Sequence, residues 1–352
     1  MRIALISNKT PDYQSGGIER YLREMVEALT DSGSQVDSIL CAPALPVAIP
    51  EPYRAYDGAI FAGSAPMYLS CGNEIRALTH RLKCPKILAM VFPFEEVAFY
   101  LGRRVAARCA QEVASSGTQM QFIVVPSEYA LRDFRAWCQN ATLPVVIPHG
   151  GHTRIPASQS ARLPSRLVSV SRGGPLAVHK NLDAVVSAMA EVRKVRPAAE
   201  LLLIGRGDHE ASPSAAGVRR IGAVSDSTRV DLVCSARAMV LPSAIESFGL
   251  SVAESLCLGT PVVALNAAAI PELVEHERNG LLIDPVRQVR IIDGVKLRHL
   301  RPDKASLTHS LLHVLSPDTP WTDMSEAAVL SVRDLSWQRT AEGYIRLLSG
   351  TS

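Results

Sequence analysis

Ala238-Met239-Val240-Leu241-Pro242-Ser243-Ala244-Ile245-Glu246-Ser247-Phe248-Gly249-Leu250-Ser251-Val252-Ala253-Glu254 is the stretch on which the fold turns. Its apolar opening, closed by a proline, reads as a buried strand, and Leu250 to Leu258 has helical spacing. In an open α/β sheet the turn between them lies at the carboxyl edge of the strands, where ligands bind. Free backbone N–H groups at the helix start make an anion site there. Glu246 and Glu254, eight positions apart, bracket that turn. Carboxylates beside an anion site would repel a bare phosphate, so they are expected to face hydroxyls. Phosphate and hydroxyls on one ligand point to a nucleotide sugar. Glu254 as a surface residue and Glu246 as a helix cap are the plainer readings. The apolar surroundings, Phe248, Leu250, Val252, Ala253 and Leu256, speak against a solvated face.

Outward from this stretch, strand-like runs alternate with helical patterns, the mark of parallel α/β layers. Around it the expected strands are Arg166–Ser171, Glu200–Ile204, Val218–Ile221, Arg237–Leu241, Pro261–Ala264 and Gly280–Ile283. The first half offers Arg2–Ser7, Gln35–Cys41, Asp57–Ala62, Lys86–Phe92, Gln121–Val125 and Val145–Pro148. Ile18, Tyr21, Leu22, Met25, Val26 and Leu29 form an amphipathic helix after the first of these. Thr153 to Ser165, with Pro156 and Pro164, reads as a linker. Two doubly wound α/β domains are therefore expected, residues 1–160 and residues 165–335, with a ligand cleft between them. Val286–Arg301, basic and without a clean period, is expected to be an exposed inserted loop.

Composition narrows the classes. At 352 residues two domains are the default, and 47% hydrophobic with 20% charged residues is ordinary for a globular chain. A net charge of +3 gives no argument for nucleic acid. Seven scattered cysteines without a Cys-x-x-Cys pair suggest reduced thiols, a cytoplasmic setting and no zinc site. The opening Met1–Ser7 run is too short for a signal peptide, and no apolar run approaches the ~20 residues of a membrane span.

Other candidates surround the glutamates. Arg172 and Lys180 flank a Gly-Gly-Pro loop after a strand, and two cations there suit a diphosphate. Gly16-Gly17 is either a tight turn or a place where a ligand approaches a helix start. His149 either faces the cleft or is a satisfied loop histidine. Gly205-Arg206-Gly207-Asp208 lacks the third glycine and the acidic partner of a dinucleotide fingerprint, which argues against a nicotinamide enzyme. Arg76, Arg81, Lys83, Lys86, Arg103, Arg104 and Arg108 read as a face toward anionic lipid, implying a peripheral membrane contact and a lipid-linked acceptor, or as solvated helix surface.

The segment Ile221–Pro285 resembles the nucleotide-sugar domain of retaining GT-B glycosyltransferases, glycosyltransferase family 4. The match runs through Gly222-Ala223-Val224-Ser225, the Glu-x7-Glu of Glu246 and Glu254, Gly259-Thr260-Pro261, Ile270-Pro271-Glu272 and Asn279-Gly280. Weaker echoes are Gly16-Gly17-Ile18-Glu19, Val125-Pro126-Ser127-Glu128, Ile147-Pro148-His149-Gly150 and Ser336-Trp337-Gln338. The resemblance implies a GT-B fold, with a C-terminal helix at 336–352 that crosses back to join residues 1–160, and transfer of a hexose from a nucleotide diphosphate sugar to a hydroxyl on a glycan, lipid-linked or small-molecule acceptor. It implies no cofactor and no metal. Glu246 would bind sugar hydroxyls, the amides of Phe248, Gly249 and Leu250 sugar and phosphate oxygens, and Glu254 the ribose. Arg172 and Lys180 would neutralise the diphosphate, Gly17 would approach it, and the base would lie near Ala223 and Val224. Phe92 stands where many members carry a histidine that contacts the reacting sugar. That departure keeps a non-catalytic nucleotide-sugar-binding subunit in view as a rival, beside a GT-B epimerase or phosphorylase.

Overall fold

A computed structural model describes residues 1–10, 16–42, 56–63, 65–139, 141–151, 161–171, 175–206, 215–292 and 295–350. Two compact units emerge: Met1–Gly150 with Leu335–Ser352, and Gly151–Asp334. The first holds β1 (Arg2–Ser7), β2 (Gln35–Leu40), β3 (Gly58–Gly63), β4 (Lys86–Met90), β5 (Phe122–Val125) and β6 (Val145–Val146). They form one parallel sheet in the order β2-β1-β3-β4-β5-β6. Central β3 and β4 are buried along their whole length, whereas edge strand β2 is largely exposed. That contrast follows from helices covering both faces of a parallel sheet, which makes its inner strands continuous apolar runs.

The Gly17–Asp31 helix lays Tyr21, Leu22, Met25, Ala28 and Leu29 into the core of this unit. The Trp337–Ser349 helix packs beside it, burying Trp337, Ala341, Tyr344 and Leu348, with Tyr21 and Tyr344 joined through their hydroxyls at 3.2 Å. Ser336 caps that last helix by accepting from the Arg339 N–H.

The second unit holds β7 (Leu163–Val170), β8 (Glu200–Ile204), β9 (Val218–Gly222), β10 (Ala236–Leu241), β11 (Val262–Leu265) and β12 (Gly280–Ile283). These too form a parallel sheet, in the order β12-β11-β10-β7-β8-β9. Strand β7 begins inside the stretch expected to be linker. Pro164 cannot donate to the ladder, and the pairing of β7 with β10 is irregular there. Most of the remaining linker lies outside the described residues.

The larger departure is at Val286–Arg301. In place of an irregular loop, β13 (Pro285–Ile292) and β14 (Val295–Pro302) form an antiparallel hairpin paired over its full length. Apolar and basic residues alternate along Val295-Lys296-Leu297-Arg298, a period of two that shifts by one at His299, and Asp293-Gly294 separates the strands in sequence. Among the described residues no helix is long and apolar enough to cross a membrane. All seven cysteines are free thiols.

Candidate functional site

In the second sheet the order reverses between β7 and β10, so the loops that follow these two strands open side by side. This is the position where doubly wound sheets bind ligands. The loop after β7 ends in the 3-10 turn Pro175–Lys180, and the loop after β10 runs through Glu246 to the Leu250–Cys257 helix. Lys180 Nζ and Glu246 Oε1 meet at 2.5 Å, both side chains mostly but not wholly buried. The backbone ties the loops as well, the Ala244 N–H donating to the His179 carbonyl at 2.7 Å.

Gly249 opens the helix in the left-handed region at φ 95°. It brings no side chain to the first turn, and a Cβ there would lie 3.0 Å from Ile270 Cδ1. Phe248 is buried beneath the turn, leaving the helix start with a dry floor. A cation, a carboxylate and a helix N-terminus thus converge at one strand edge. Such a set can hold an anion and hydroxyls together.

Glu254 has a partner that sequence reasoning missed. It is 1% exposed and ion-paired with Arg229 on the Asp226–Cys234 helix. Arg229 also donates to Asp226 Oδ1 at 2.9 Å. Burial alone would push the Arg229 guanidinium down, but the two carboxylates outweigh it and the net direction is up. The surface reading of Glu254 is thereby corrected: mid-helix as expected, it faces inward and is held by a cation. A signal for Arg229 did exist, because it falls among Val230, Val233 and Cys234 on the buried side of its helix. Ala223 and Val224 follow β9 at the same edge of the sheet, Ala223 exposed and Val224 half-buried. Arg172 lies outside the described residues.

In the first unit the order reverses at β1, and Gly16 and Gly17 begin the helix after that strand. A Cβ on Gly16 would fall 2.4 Å from Glu19 Oε2, whereas one on Gly17 would meet open space. The carboxylate of Glu19, buried and 3.5 Å from Lys9 Nζ, therefore already covers the first turn of this helix. His149 is 4% exposed, stacked on Trp337 at 5.7 Å and tilted against Tyr21 at 4.8 Å. Burial pushes its imidazole down to about 3. Phe92 is likewise buried, packed against Tyr68 and Phe94. Nearby, Asp133 accepts from the Phe94 N–H at 2.6 Å, and burial raises its carboxyl to about 6.

Two of the basic residues read as a lipid face are otherwise engaged. Lys86 is buried with its ammonium on the Cys84 carbonyl, and Arg76 pairs with Glu112. Arg103, Arg104 and Arg108 are exposed, Arg103 lying over the Trp137 ring. Among the described residues no three His, Cys, Asp or Glu side chains gather as a metal centre.

Comparison with known proteins places this geometry. Residues 165–296 match the family model described as Glycosyl transferases group 1. An uncharacterized glycosyltransferase of Methanocaldococcus jannaschii is 32% identical over 35% of the chain, and the phosphatidyl-myo-inositol mannosyltransferase of Mycobacterium leprae 29% over 48%. These alignments span 33% and 42% of the relatives' own lengths. Among solved structures, the sucrose-phosphate synthase of Thermosynechococcus elongatus superposes with a TM-score of 0.75 at 18% identity, covering 99% of this chain and 100% of that one. HepE of Anabaena, solved with UDP and glucose, gives 0.72 at 14% identity over 99% of this chain and 100% of its own. Residues 165–296 of the second unit therefore carry a glycosyl transferases group 1 domain, and the chain has the two-domain GT-B fold.

Proposed function

We propose that the protein is a retaining, metal-independent glycosyltransferase that moves a hexosyl unit from a nucleotide diphosphate sugar to an acceptor hydroxyl. The observation that carries this reading is the Lys180–Glu246 pair beside the uncapped Leu250–Cys257 helix, at the switch point of a group 1 domain. Breaking a sugar–phosphate bond builds negative charge on the leaving diphosphate. Lys180 and the amides of Phe248, Gly249 and Leu250 would meet that charge without rearranging, the usual source of electrostatic catalysis. Arg172 would add a second cation from the same loop. Glu246 would accept from hydroxyls of the transferred sugar while its Oε1 keeps Lys180 in place.

Glu254 would take the ribose hydroxyls with its direction set by Arg229, and the base would rest near Ala223 and Val224. Neither glutamate serves as nucleophile, so the paired-carboxylate scheme of hydrolases does not apply. Relatives named D-inositol 3-phosphate glycosyltransferase and phosphatidyl-myo-inositol mannosyltransferase support a hydroxyl acceptor. The test is binding and turnover with nucleotide sugars. Glu246→Ala should lose transfer while donor binding survives in part, and Glu254→Ala should weaken nucleotide binding itself. Full activity in the first variant, or unchanged affinity in the second, would overturn the assignment.

A further inference from the structure

The β13–β14 hairpin belongs to neither six-stranded sheet, yet it reaches the turn that carries Lys180. His299 and Arg301 are two apart on β14 and so project from one face. Buried His299 places Nε2 3.2 Å from Asn181 Oδ1, and Arg301 donates to Asp183 Oδ2 at 2.9 Å. Between them, the Leu300 carbonyl accepts from Asn181 Nδ2 at 3.1 Å. Asn181 Nδ2 donates also to the Pro242 carbonyl at 2.9 Å, in the loop that leads to Glu246. With its nitrogen on two carbonyls, the Asn181 amide can point only one way. Its Oδ1 must receive a proton, so His299 Nε2 carries the N–H.

Asn181 is fully buried and left-handed at φ 53°, a conformation asparagine tolerates better than most residues. It directly follows Lys180. One side chain thereby joins three segments: the hairpin, the Lys180 turn and the loop to Glu246. Lys180 sits on a four-carbon stem, and misplacing a catalytic group by about 1 Å is enough to lose much of its effect. We propose that the β13–β14 hairpin is what fixes Lys180 against Glu246, with His299 and Asn181 as positioning residues for sugar transfer. This rests on the function proposed above.

The experiment compares wild type with His299→Leu, His299→Gln and Asn181→Gly in steady-state transfer from a nucleotide sugar. Hydrogen–deuterium exchange over residues 175–184 is measured in parallel. His299→Leu should lower kcat about five- to tenfold, the worth of one buried hydrogen bond, with donor KM changed less. Exchange at the Lys180 turn should rise and Tm should stay close to wild type. His299→Gln, which offers an N–H at similar reach, should recover most of kcat. Asn181→Gly keeps the backbone conformation but removes the amide, and should reproduce the loss. Wild-type kcat and exchange in His299→Leu would overturn the proposal, as would exchange raised evenly across the second unit with no rescue by glutamine. If wild type transfers no sugar, the functional reading fails. Exchange at residues 175–184 then decides the positioning alone: raised in His299→Leu supports it, and unchanged refutes it.

Discussion

Arg229→Met should destabilise the second unit more than almost any other single change on this face of the protein. The guanidinium serves two carboxylates of different standing. Asp226 is half exposed at 52%, and an ion pair of that kind contributes about 0–1 kcal/mol. Glu254 is 1% exposed, and removing the cation leaves a buried carboxylate without its counter-charge, a loss of about 3–5 kcal/mol. Together these give about 3–6 kcal/mol. The unit runs from Gly151 to Asp334, or 184 residues (334 − 151 + 1), for which each kcal/mol moves the midpoint by about 2–4 °C. Thermal unfolding followed by circular dichroism should therefore show a transition lowered by about 6–24 °C.

The double variant Arg229→Met/Glu254→Met supplies the control. Replacing both members of a buried pair by apolar side chains is often neutral, so this protein should return to within about 1–2 kcal/mol of wild type. A single-variant loss below about 1 kcal/mol would refute the reasoning, because an exposed pair behaves that way. So would a double variant as unstable as the sum of the two singles, since that would mean the side chains are not coupled.

Two further outcomes are expected. His149 is held neutral down to about pH 3 by burial, while the unfolded chain gains its proton near 6.5, so its effect is to weaken the fold as pH falls through that window. Asp133, raised to about 6, acts in the opposite sense between about 6 and 3.8, which masks the effect in wild type. His149→Leu should therefore gain on wild type by about 3 kcal/mol between pH 6.5 and 4, and a pH-independent difference in denaturant unfolding would contradict it. Gly249→Ala forces a Cβ into the left-handed region and against Ile270, and should destabilise by about 1–3 kcal/mol with weaker donor binding. A Tm equal to wild type would show that the turn adapts.

The central parallel strands were legible because they are buried on both faces and so read as continuous apolar runs. Met239–Leu241 and Val262–Ala264 are examples. The Glu246 turn was legible for a related reason: a charged residue between an apolar strand and a helix start has few places to be. The hairpin was not, because basic and apolar residues alternate only over Val295-Lys296-Leu297-Arg298, and each strand read alone resembles the surface of an unstructured loop. Only the cross-strand register makes it a sheet. The partner of Glu254 stayed hidden because it lies 25 positions earlier, on a helix joined to it through space. Asn181 was passed over for the same reason, since its carbonyl partners come from residues 61 and 119 positions away.

The Trp337–Ser349 helix carries a consequence for how the chain is made. Its Trp337, Tyr344 and Leu348 are part of the first unit's interior, and Leu348 fills the space that the missing side chain of Gly58 leaves open. Synthesis runs from the amino end, so residues 151–334 emerge and can close around their own sheet while the earlier unit still lacks this helix. At ~5–20 residues per second that interval is about 10–40 s. For that time Tyr21 has neither Trp337 nor Tyr344 beside it. The unit begun first is the one finished last, and its exposed apolar surface in the interval is where a holding chaperone would find its grip.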